Sequence, residues 1–185
     1  KERAGVDPSV LADLPGTLRR AQFKVTATLI ENNLAAVEEG DTTARKYGLA
    51  VDIGTTTLAV YLLDLNSGEL LAAASCSNTQ KIYGADVISR IQHAQTAEGL
   101  GQLREMALNA LNGSIARLLK EQRIAATEIV EAVVVGNTTM AHLFLGIDPT
   151  HLANAPFTPG FPCIPGAGSS FCPISPGMSD RIPLG

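Results

Sequence analysis

The first half of the chain contains three consecutive, largely apolar runs that are typical of β-strands, and the first of them is nearly continuous. Two short segments rich in turn-forming residues, Gly54-Thr55-Thr56 and Asn66-Ser67-Gly68, separate the runs. Because short turns join antiparallel neighbours, the pattern predicts a three-stranded antiparallel meander. The three runs are GLAVDI (48–53), TLAVYLLDL (57–65) and ELLAAASCS (69–77).

After the meander, apolar residues recur at steps of three and four, which is typical of helices. This spacing predicts a helix from about Gly84 to Ala94 and a longer helix over Glu98–Arg123, whose apolar stripe faces the core. The β-branched run Ile129–Val135 predicts a fourth strand, and Thr139–Leu145 predicts a short helix. Strands and helices in this order indicate an α/β fold.

The two ends of the chain differ in pattern from the part between them. AQFKVTATLI at 21–30 alternates as a half-buried strand does, and Pro15-Gly16 predicts a turn before it. Seven of the ten prolines lie in the last 35 residues, too many for a regular element, so an irregular tail is expected. The predicted divisions are a leading segment with a connector (1–46), a central α/β part (47–150) and a Pro/Gly-rich tail (151–185).

Charge and cysteine content argue against several classes of partner and cofactor. With 14 basic and 18 acidic residues the net charge is −4, which disfavours binding to nucleic acids or anionic membranes by bulk electrostatics. No apolar run reaches the roughly 18 residues of a membrane span. Cys76, Cys163 and Cys172 are too widely spaced to predict a metal or iron–sulfur site made from this chain alone. They indicate a reducing, cytoplasmic compartment.

The turn between the first two predicted strands carries the strongest candidate chemistry. Asp52 lies near the end of an apolar strand, and Gly54, Thr55 and Thr56 follow it. Their amides and hydroxyls are suited to phosphate oxygens, because glycine lets the backbone approach a ligand closely. Asp52 is suited to hold Mg²⁺ through water, since Mg²⁺ keeps several waters and takes few carboxylates. The alternative is an ordinary hairpin in which Gly54 makes the turn.

Two further groups of polar residues have simple local explanations. Asn137 and Thr138 follow the fourth predicted strand, and either is suited to be the N-cap of the next helix. Asp86 and Arg90 lie four residues apart on one predicted helical face, which favours an ion pair between them. The alternative for this pair is that it faces a cleft or a partner.

Several separated segments of the chain resemble one family. The element order and the turn DIGTTT resemble the N-terminal half of the superfamily of acetate and sugar kinases, heat-shock chaperones and actin, in which two ribonuclease-H-like halves close over ATP. More closely, three segments are similar, in order, to the ATPase domain of the ATP-dependent reductive activators of corrinoid proteins. Residues 12–42 similarly resemble the end of the domain that joins an iron–sulfur domain to that ATPase. The three segments are GLAVDIGTTT (48–57), YGADVISRI (83–91) and VVVGNTTMAHLFLG (133–146).

The resemblance implies a ribonuclease-H-like (actin-like ATPase) half-domain preceded by the end of a linking domain. It implies that the parent protein hydrolyses ATP with Mg²⁺, and so drives an electron from a [2Fe–2S] domain to the Co(II) corrinoid of a partner protein. Because an amide is no strong base, Asn137 is limited to polarising or positioning the attacking water. The resemblance assigns Asp52 to metal binding and catalysis, and Gly54, Thr55 and Thr56 to contacts with phosphates. It places Gly136 and Asn137 where this superfamily has its first connecting segment, at the end of the fourth strand.

The sequence also departs from the family pattern. It begins at Lys1 and has neither an N-terminal cysteine cluster nor a second ribonuclease-H-like half, so we expect a piece of a longer parent. The [2Fe–2S] cluster is then expected only in a missing N-terminal domain, and hydrolysis by this chain alone is expected to be weak or undetectable. A half-domain would also expose the apolar surface that its missing half covers, and such a surface favours self-association, so a homodimer is one expected state. The alternatives are a sugar or acyl-phosphate kinase, which an aspartate in place of Asn137 would favour, and a non-catalytic dimerisation or docking module.

Overall fold

The computed structural model describes residues 5–6, 8–30, 32–160 and 170–174, and these form two β-sheets with helices packed beside them. The strands are β1 (Gly5–Val6), β2 (Val25–Ile30), β3 (Asn33–Glu39), β4 (Tyr47–Ile53), β5 (Thr57–Asp64), β6 (Leu70–Ser77), β7 (Ile129–Gly136) and β8 (Ser170–Ile174). The helices are α1 (Pro8–Arg20), α2 (Val87–His93), α3 (Ala97–Gln122) and α4 (Thr138–Leu145). A turn of 3₁₀ helix, Thr79–Ile82, lies between β6 and α2.

The larger sheet has the strand order β6-β5-β4-β7-β8. Strands β4, β5 and β6 pair antiparallel, which confirms the predicted meander. Strand β7 joins β4 in parallel, with Gly136 opposite Ile53. A parallel neighbour requires a long crossover, and α2 and α3 provide it. The predicted α/β class is therefore confirmed as a mixed sheet with helices.

The core lies between one face of the larger sheet and α3. Val51, Val60 and Leu62 alternate with less buried residues and point into this core. Leu103 and Leu118 belong to the same cluster on the helix side. The predicted apolar stripe is confirmed, because only one face of a helix can pack on a sheet. The other sheet face is more exposed, and Asp52 lies on it.

The leading segment differs from its prediction. Pro15-Gly16 does not form a turn but lies inside α1, and the predicted strand shortens to β2 because Phe23 sits in a left-handed turn with φ 62°. Strand β3, which was not predicted, pairs antiparallel with β2 and parallel with β1. Helix α1 forms because Leu14, Thr17 and Leu18 share a face that packs toward this small sheet, and Pro15 occupies the exposed face. Tertiary packing overrides the local turn signal here.

The tail also departs from the irregular structure that its prolines predict. Ser170–Ile174 forms β8, which pairs antiparallel with β7 and places Pro173 opposite Val133. An edge strand tolerates proline because one of its sides needs no ladder hydrogen bond. The prediction for 161–169 and 175–185 lies outside the described residues. Among the helices that the structure describes, none has the length and apolar character needed to cross a membrane.

Candidate functional site

The predicted site residues come together at one edge of the larger sheet. The turn 54–56 follows β4, and the turn that contains Asn137 follows β7. Because β4 and β7 are parallel neighbours in register at Ile53 and Gly136, both strands end at the same edge. The topology therefore brings together two segments more than 80 residues apart in sequence. This edge is where open α/β sheets place ligands, since strand ends leave a crevice there.

Asn137 joins the two turns through its side chain. Its Nδ2 donates to Thr55 Oγ1 at 3.1 Å, and its Oδ1 accepts from the Met140 amide at 2.9 Å. The second contact makes Asn137 the N-cap of α4, with extended backbone at φ −65° and ψ 162°. The two roles predicted as alternatives, helix cap and member of the site, are therefore structurally compatible. The amide can fill both because its oxygen and nitrogen point in different directions.

Close backbone packing accounts for the two glycines of the site. A Cβ at Gly54 would lie 2.6 Å from the Thr57 carbonyl oxygen, to which the Gly54 amide already donates at 3.0 Å. A Cβ at Gly136 would lie 2.9 Å from the Ile53 carbonyl oxygen. Both contacts are with backbone, which cannot swing aside as a long side chain can. Glycine is therefore required for the tight turn and for the approach of the two strand ends.

The turn keeps hydrogen-bonding capacity for a ligand. Among the described residues, the amides of Thr55 and Thr56 donate to no protein acceptor. The Asp52 carboxylate is exposed on the open sheet face, beside Ala59 and Val135 in register. Within the same part of the chain it takes part in no ion pair. Two free amides and a free carboxylate lie within a few residues of one another, a donor set that suits a phosphate with a hydrated Mg²⁺.

Three buried polar residues lie behind the turn, and the sequence pattern points to none of them as a support of the turn, although Arg90 was expected in an ion pair with Asp86. Asn78, Gln80 and Arg90 are 0%, 1% and 0% exposed, and they lie on the segment that connects β6 to α2 and on α2 itself. Asn78 Nδ2 donates to the Gly54 carbonyl at 2.8 Å, and Arg90 Nη2 donates to the Thr55 carbonyl at 2.5 Å. The sequence carries no clear signal for them, because isolated polar residues near a helix start normally indicate a surface.

The predicted ion pair between Asp86 and Arg90 is wrong. Asp86 is the N-cap of α2, and its Oδ1 accepts from the amide and the hydroxyl of Ser89 at 2.8 and 2.7 Å. Arg90 turns inward instead, where four acceptors surround its guanidinium. The i,i+4 spacing places the two residues on one helical face, but the capping hydrogen bonds from Ser89 hold the Asp86 carboxylate at the N-terminus of α2. Arg90 does not face a cleft or a partner surface either, because it is fully buried behind the turn.

Substituting Asp86 by asparagine tests the cap. The two hydrogen bonds from Ser89 hold the pKa of the Asp86 carboxyl below its ordinary 3.8. The charged carboxylate therefore stabilises the folded state. This stabilisation is fully present above pH 3.8, and it disappears as the pH falls through the pKa that Asp86 has in the folded protein. Since asparagine caps equally well, D86N should be slightly less stable than the wild type at neutral pH and equal to it in strong acid. Urea unfolding at both pH values measures the difference.

Serine 89 supplies the comparison for that experiment. Ser89→Ala removes one of the two donors to the carboxylate and should shrink the difference at neutral pH between the aspartate and asparagine forms. A difference between D86N and the wild type that persists in strong acid would contradict a charge-dependent cap.

No metal-binding cluster accompanies the site. In the described part of the chain, no three His, Cys, Asp or Glu side chains gather closely enough to hold a metal ion. Cys76 is a free thiol that packs at the edge of the core. His142 is fully buried, with Nδ1 2.7 Å from the Thr138 carbonyl oxygen and Nε2 accepting from the Gly160 amide at 2.8 Å. These side chains are structural, and none of them lies at the turn.

Comparison with known proteins gives consistent matches. Family models described as the RACo linker region and the RACo middle region match residues 1–44 and 47–167. The corrinoid activation enzyme RamQ of Eubacterium limosum is 45% identical over 112 residues, which cover 60% of this chain and 19% of that protein. A solved structure of a reductive activator for corrinoid, iron–sulfur protein is 42% identical with a TM-score of 0.75, and the match covers 84% of this chain and 26% of that one. The chain therefore spans about a fifth to a quarter of the length of these relatives.

Proposed function

Because this chain belongs to the family of the RACo linker and middle regions, we propose that it is part of an ATP-dependent reductive activator of corrinoid proteins. The names of both relatives support this reading, since one is a corrinoid activation enzyme and the other a reductive activator for a corrinoid, iron–sulfur protein. Within that activator, residues 47–150 provide the first half of a nucleotide site. Residues 1–44 provide the linker that leads to it.

The half-domain in this proposal is ribonuclease-H-like, as in actin-like ATPases. Three antiparallel strands are followed by two helices and a fourth strand parallel to the first, and the spatial order is β6-β5-β4-β7. This connection carries both polar turns to one sheet edge. A second half is needed to close over the nucleotide, so the described residues alone leave the bound phosphates open to water.

The contact between Thr55 and Asn137 carries the proposal. It joins the turns after β4 and β7 through a hydrogen bond of 3.1 Å from Asn137 Nδ2 to Thr55 Oγ1, at a point where Thr55 and Thr56 keep free amides. Two turns held together at a strand edge, with donors facing out, make a cradle for an anion. An ordinary hairpin needs neither a side-chain link to a neighbouring turn nor a backbone packed too closely for any Cβ.

Each site residue then has a role in nucleotide binding. The amides and hydroxyls of Thr55 and Thr56 donate to phosphate oxygens, and Gly54 keeps the turn tight. Asp52 binds waters of the hydrated Mg²⁺, which neutralises phosphate charge when bound. Asn137 holds Thr55 in place and orients a water, but it removes no proton because an amide is not a base.

Electron transfer and its partner extend beyond these residues. In this proposal, ATP hydrolysis drives one electron from a [2Fe–2S] domain onto a Co(II) corrinoid in a partner protein, which becomes Co(I). The residues that the structure describes provide no ligand set for the cluster, so its place is in another part of the activator. A reducing cytoplasmic compartment suits a low-potential electron donor and the free thiol of Cys76.

Titration of the chain with Mg-ADP and a non-hydrolysable ATP analogue tests the nucleotide site. Asp52→Asn keeps the shape of the side chain but removes its charge, so calorimetry should record a loss of affinity of about tenfold or more. Without Mg²⁺, D52N and wild type should bind alike, because the carboxylate acts only through the metal. Asp13→Asn is the matched control, because Asp13 is an exposed aspartate on α1. It should leave the affinity unchanged both with and without Mg²⁺.

The outcomes separate the candidate functions. No nucleotide binding by the folded wild-type chain would contradict the nucleotide site and favour the docking module. Binding that D52N leaves unchanged would remove Asp52 from the metal site. With ATP in place of the analogue, transfer of the γ-phosphoryl group to a sugar hydroxyl or a carboxylate, with release of ADP, would favour the kinase alternative.

A further inference from the structure

A buried polar network lies directly behind the turn 54–56. It consists of Asn78, Gln80 and Arg90, and all three side chains are almost completely shielded from solvent. Burying polar groups costs free energy unless each one is hydrogen-bonded. Gln80 meets this requirement, because its Nε2 donates to the Leu103 carbonyl at 2.9 Å and its Oε1 accepts from Arg90 Nη1 at 3.1 Å. The network is thereby tied to α3.

The network binds three consecutive carbonyl groups of the turn. Asn78 Nδ2 donates to Gly54 at 2.8 Å, Arg90 Nη2 donates to Thr55 at 2.5 Å, and the Asn78 amide donates to Thr56 at 2.8 Å. Every carbonyl from 54 to 56 is therefore held toward the protein interior. Because an amide and the carbonyl of the preceding residue share one peptide plane and point in opposite directions, this leaves the amides of Thr55 and Thr56 outward.

The guanidinium of Arg90 brings a positive charge into this network without a carboxylate beside it. None of the ion pairs in the described residues includes Arg90. Burial lowers the pKa of Arg90, and the charge of Asp86 opposes this shift, but an arginine stays protonated at neutral pH. Its contacts are the carbonyls of Gly84 and Thr55, the amide oxygen of Gln80 and Met140 Sδ. An anion bound at the turn would be attracted by this charge from the opposite side.

We infer that Arg90 is a positioning residue for phosphate binding: its buried guanidinium fixes the Thr55 carbonyl inward, so that the Thr56 amide faces the phosphate. Asn78 does the same for the Thr55 amide through the Gly54 carbonyl. The inference rests on the proposed nucleotide site and adds a residue that touches no ligand. Arginine suits this role better than lysine because its planar fork donates in several fixed directions at once. Here the guanidinium contacts three segments of the chain, the β6–α2 connection at Gln80 and Gly84, the turn at Thr55 and α4 at Met140, which a lysine ammonium cannot reproduce.

Arg90→Lys separates charge from geometry, since it keeps the positive charge but loses the fork. Calorimetry with Mg-ADP on the 185-residue chain should give an affinity at least about tenfold weaker than wild type. Arg104→Lys is the matched control, because Arg104 is an exposed arginine whose Nε donates to the Phe144 carbonyl at 3.2 Å, away from the turn. Its affinity should be unchanged.

The amide resonances of the turn provide a second readout that stability alone does not move. In ¹H–¹⁵N spectra of the unliganded chain, R90K should shift the signals of Thr55 and Thr56 while R104K leaves them in place. Gln80→Leu keeps Arg90 but removes one acceptor of its guanidinium, and should give a smaller shift and a smaller loss of affinity. This variant keeps the inference testable where R90K does not fold.

The results distinguish the inference from the proposed function. A wild-type chain that binds Mg-ADP together with an R90K variant of equal affinity would overturn the role of Arg90 and leave the nucleotide site intact. A wild-type chain that binds no nucleotide would overturn the nucleotide site. In that case the amide signals of Thr55 and Thr56 still test the role of Arg90. Signals that stay unchanged in R90K or Q80L would overturn this role, and signals that shift would support the claim that Arg90 positions the turn.

Discussion

Leu103→Ala is expected to lower the free energy of unfolding by about 3–5 kcal/mol, the largest effect on stability that we predict. Leu103 is 0% exposed and belongs to the cluster between α3 and the larger sheet. Alanine removes most of this buried side chain and leaves a cavity, because α3 is held along its length and cannot collapse into the space. Urea unfolding followed by circular dichroism measures the change.

The substitution also separates packing from the polar network. Gln80 contacts the backbone carbonyl of Leu103, which alanine retains, so the acceptor is still present. Leu70→Ala at the start of β6 is the control, since Leu70 is 53% exposed and its loss should cost less than about 1 kcal/mol. Equal losses at the two positions would contradict a core centred on α3.

Gly54→Ala is expected to weaken Mg-ADP binding by about a hundredfold, because displacing positioned groups by about 1 Å has effects of that order. The new Cβ would lie 2.6 Å from the Thr57 carbonyl oxygen, so the turn must open and the amides of Thr55 and Thr56 must move. The same strain should lower the free energy of unfolding by about 1–3 kcal/mol. Calorimetry and urea unfolding measure the two effects on one sample.

Gly101→Ala is the matched control for that substitution. Its Cβ would have no neighbour within 4 Å, and alanine is the better helix former, so a gain of up to about 1 kcal/mol with unchanged affinity is expected. If G54A bound Mg-ADP with the affinity of the wild type, phosphate binding would not depend on the turn 54–56. A loss of stability in G54A without a loss of affinity would place the ligand elsewhere.

The site combines residues that local patterns reveal with residues that they hide. Asp52, Gly54 and Thr55 were found because they end an apolar run and begin the next one, a position that always lies at a sheet edge. Arg90 was expected on a helix surface as the partner of Asp86. Instead the chain around Gly84 places α2 behind the turn 54–56. The first buried side chain of α2, Arg90, therefore donates to the Thr55 carbonyl.

The same contrast applies to the comparison with relatives. The segments Gly48–Thr57 and Val133–Gly146 resemble those of the corrinoid activators. The matching family models confirm that the chain belongs to this family. The two segments contain the two turns that the fold joins at Asn137. Binding of ATP, electron transfer and the choice of corrinoid partner stay predictions, and the match covers only 19% and 26% of the lengths of these relatives.

By itself, the sequence determined the elements whose burial is periodic. The apolar runs of β4 and β5, bounded by turn residues, and the three-to-four spacing over α3 each reflect one continuous contact with the core, and so they can be recognised from neighbouring residues alone. The tertiary structure decided everything that depends on distant partners. Helix α1 forms across Pro15 because it packs on a small sheet, and Pro173 enters a strand because β7 offers an edge. Arg90 becomes buried because the carbonyls of a turn 35 residues away accept its hydrogen bonds.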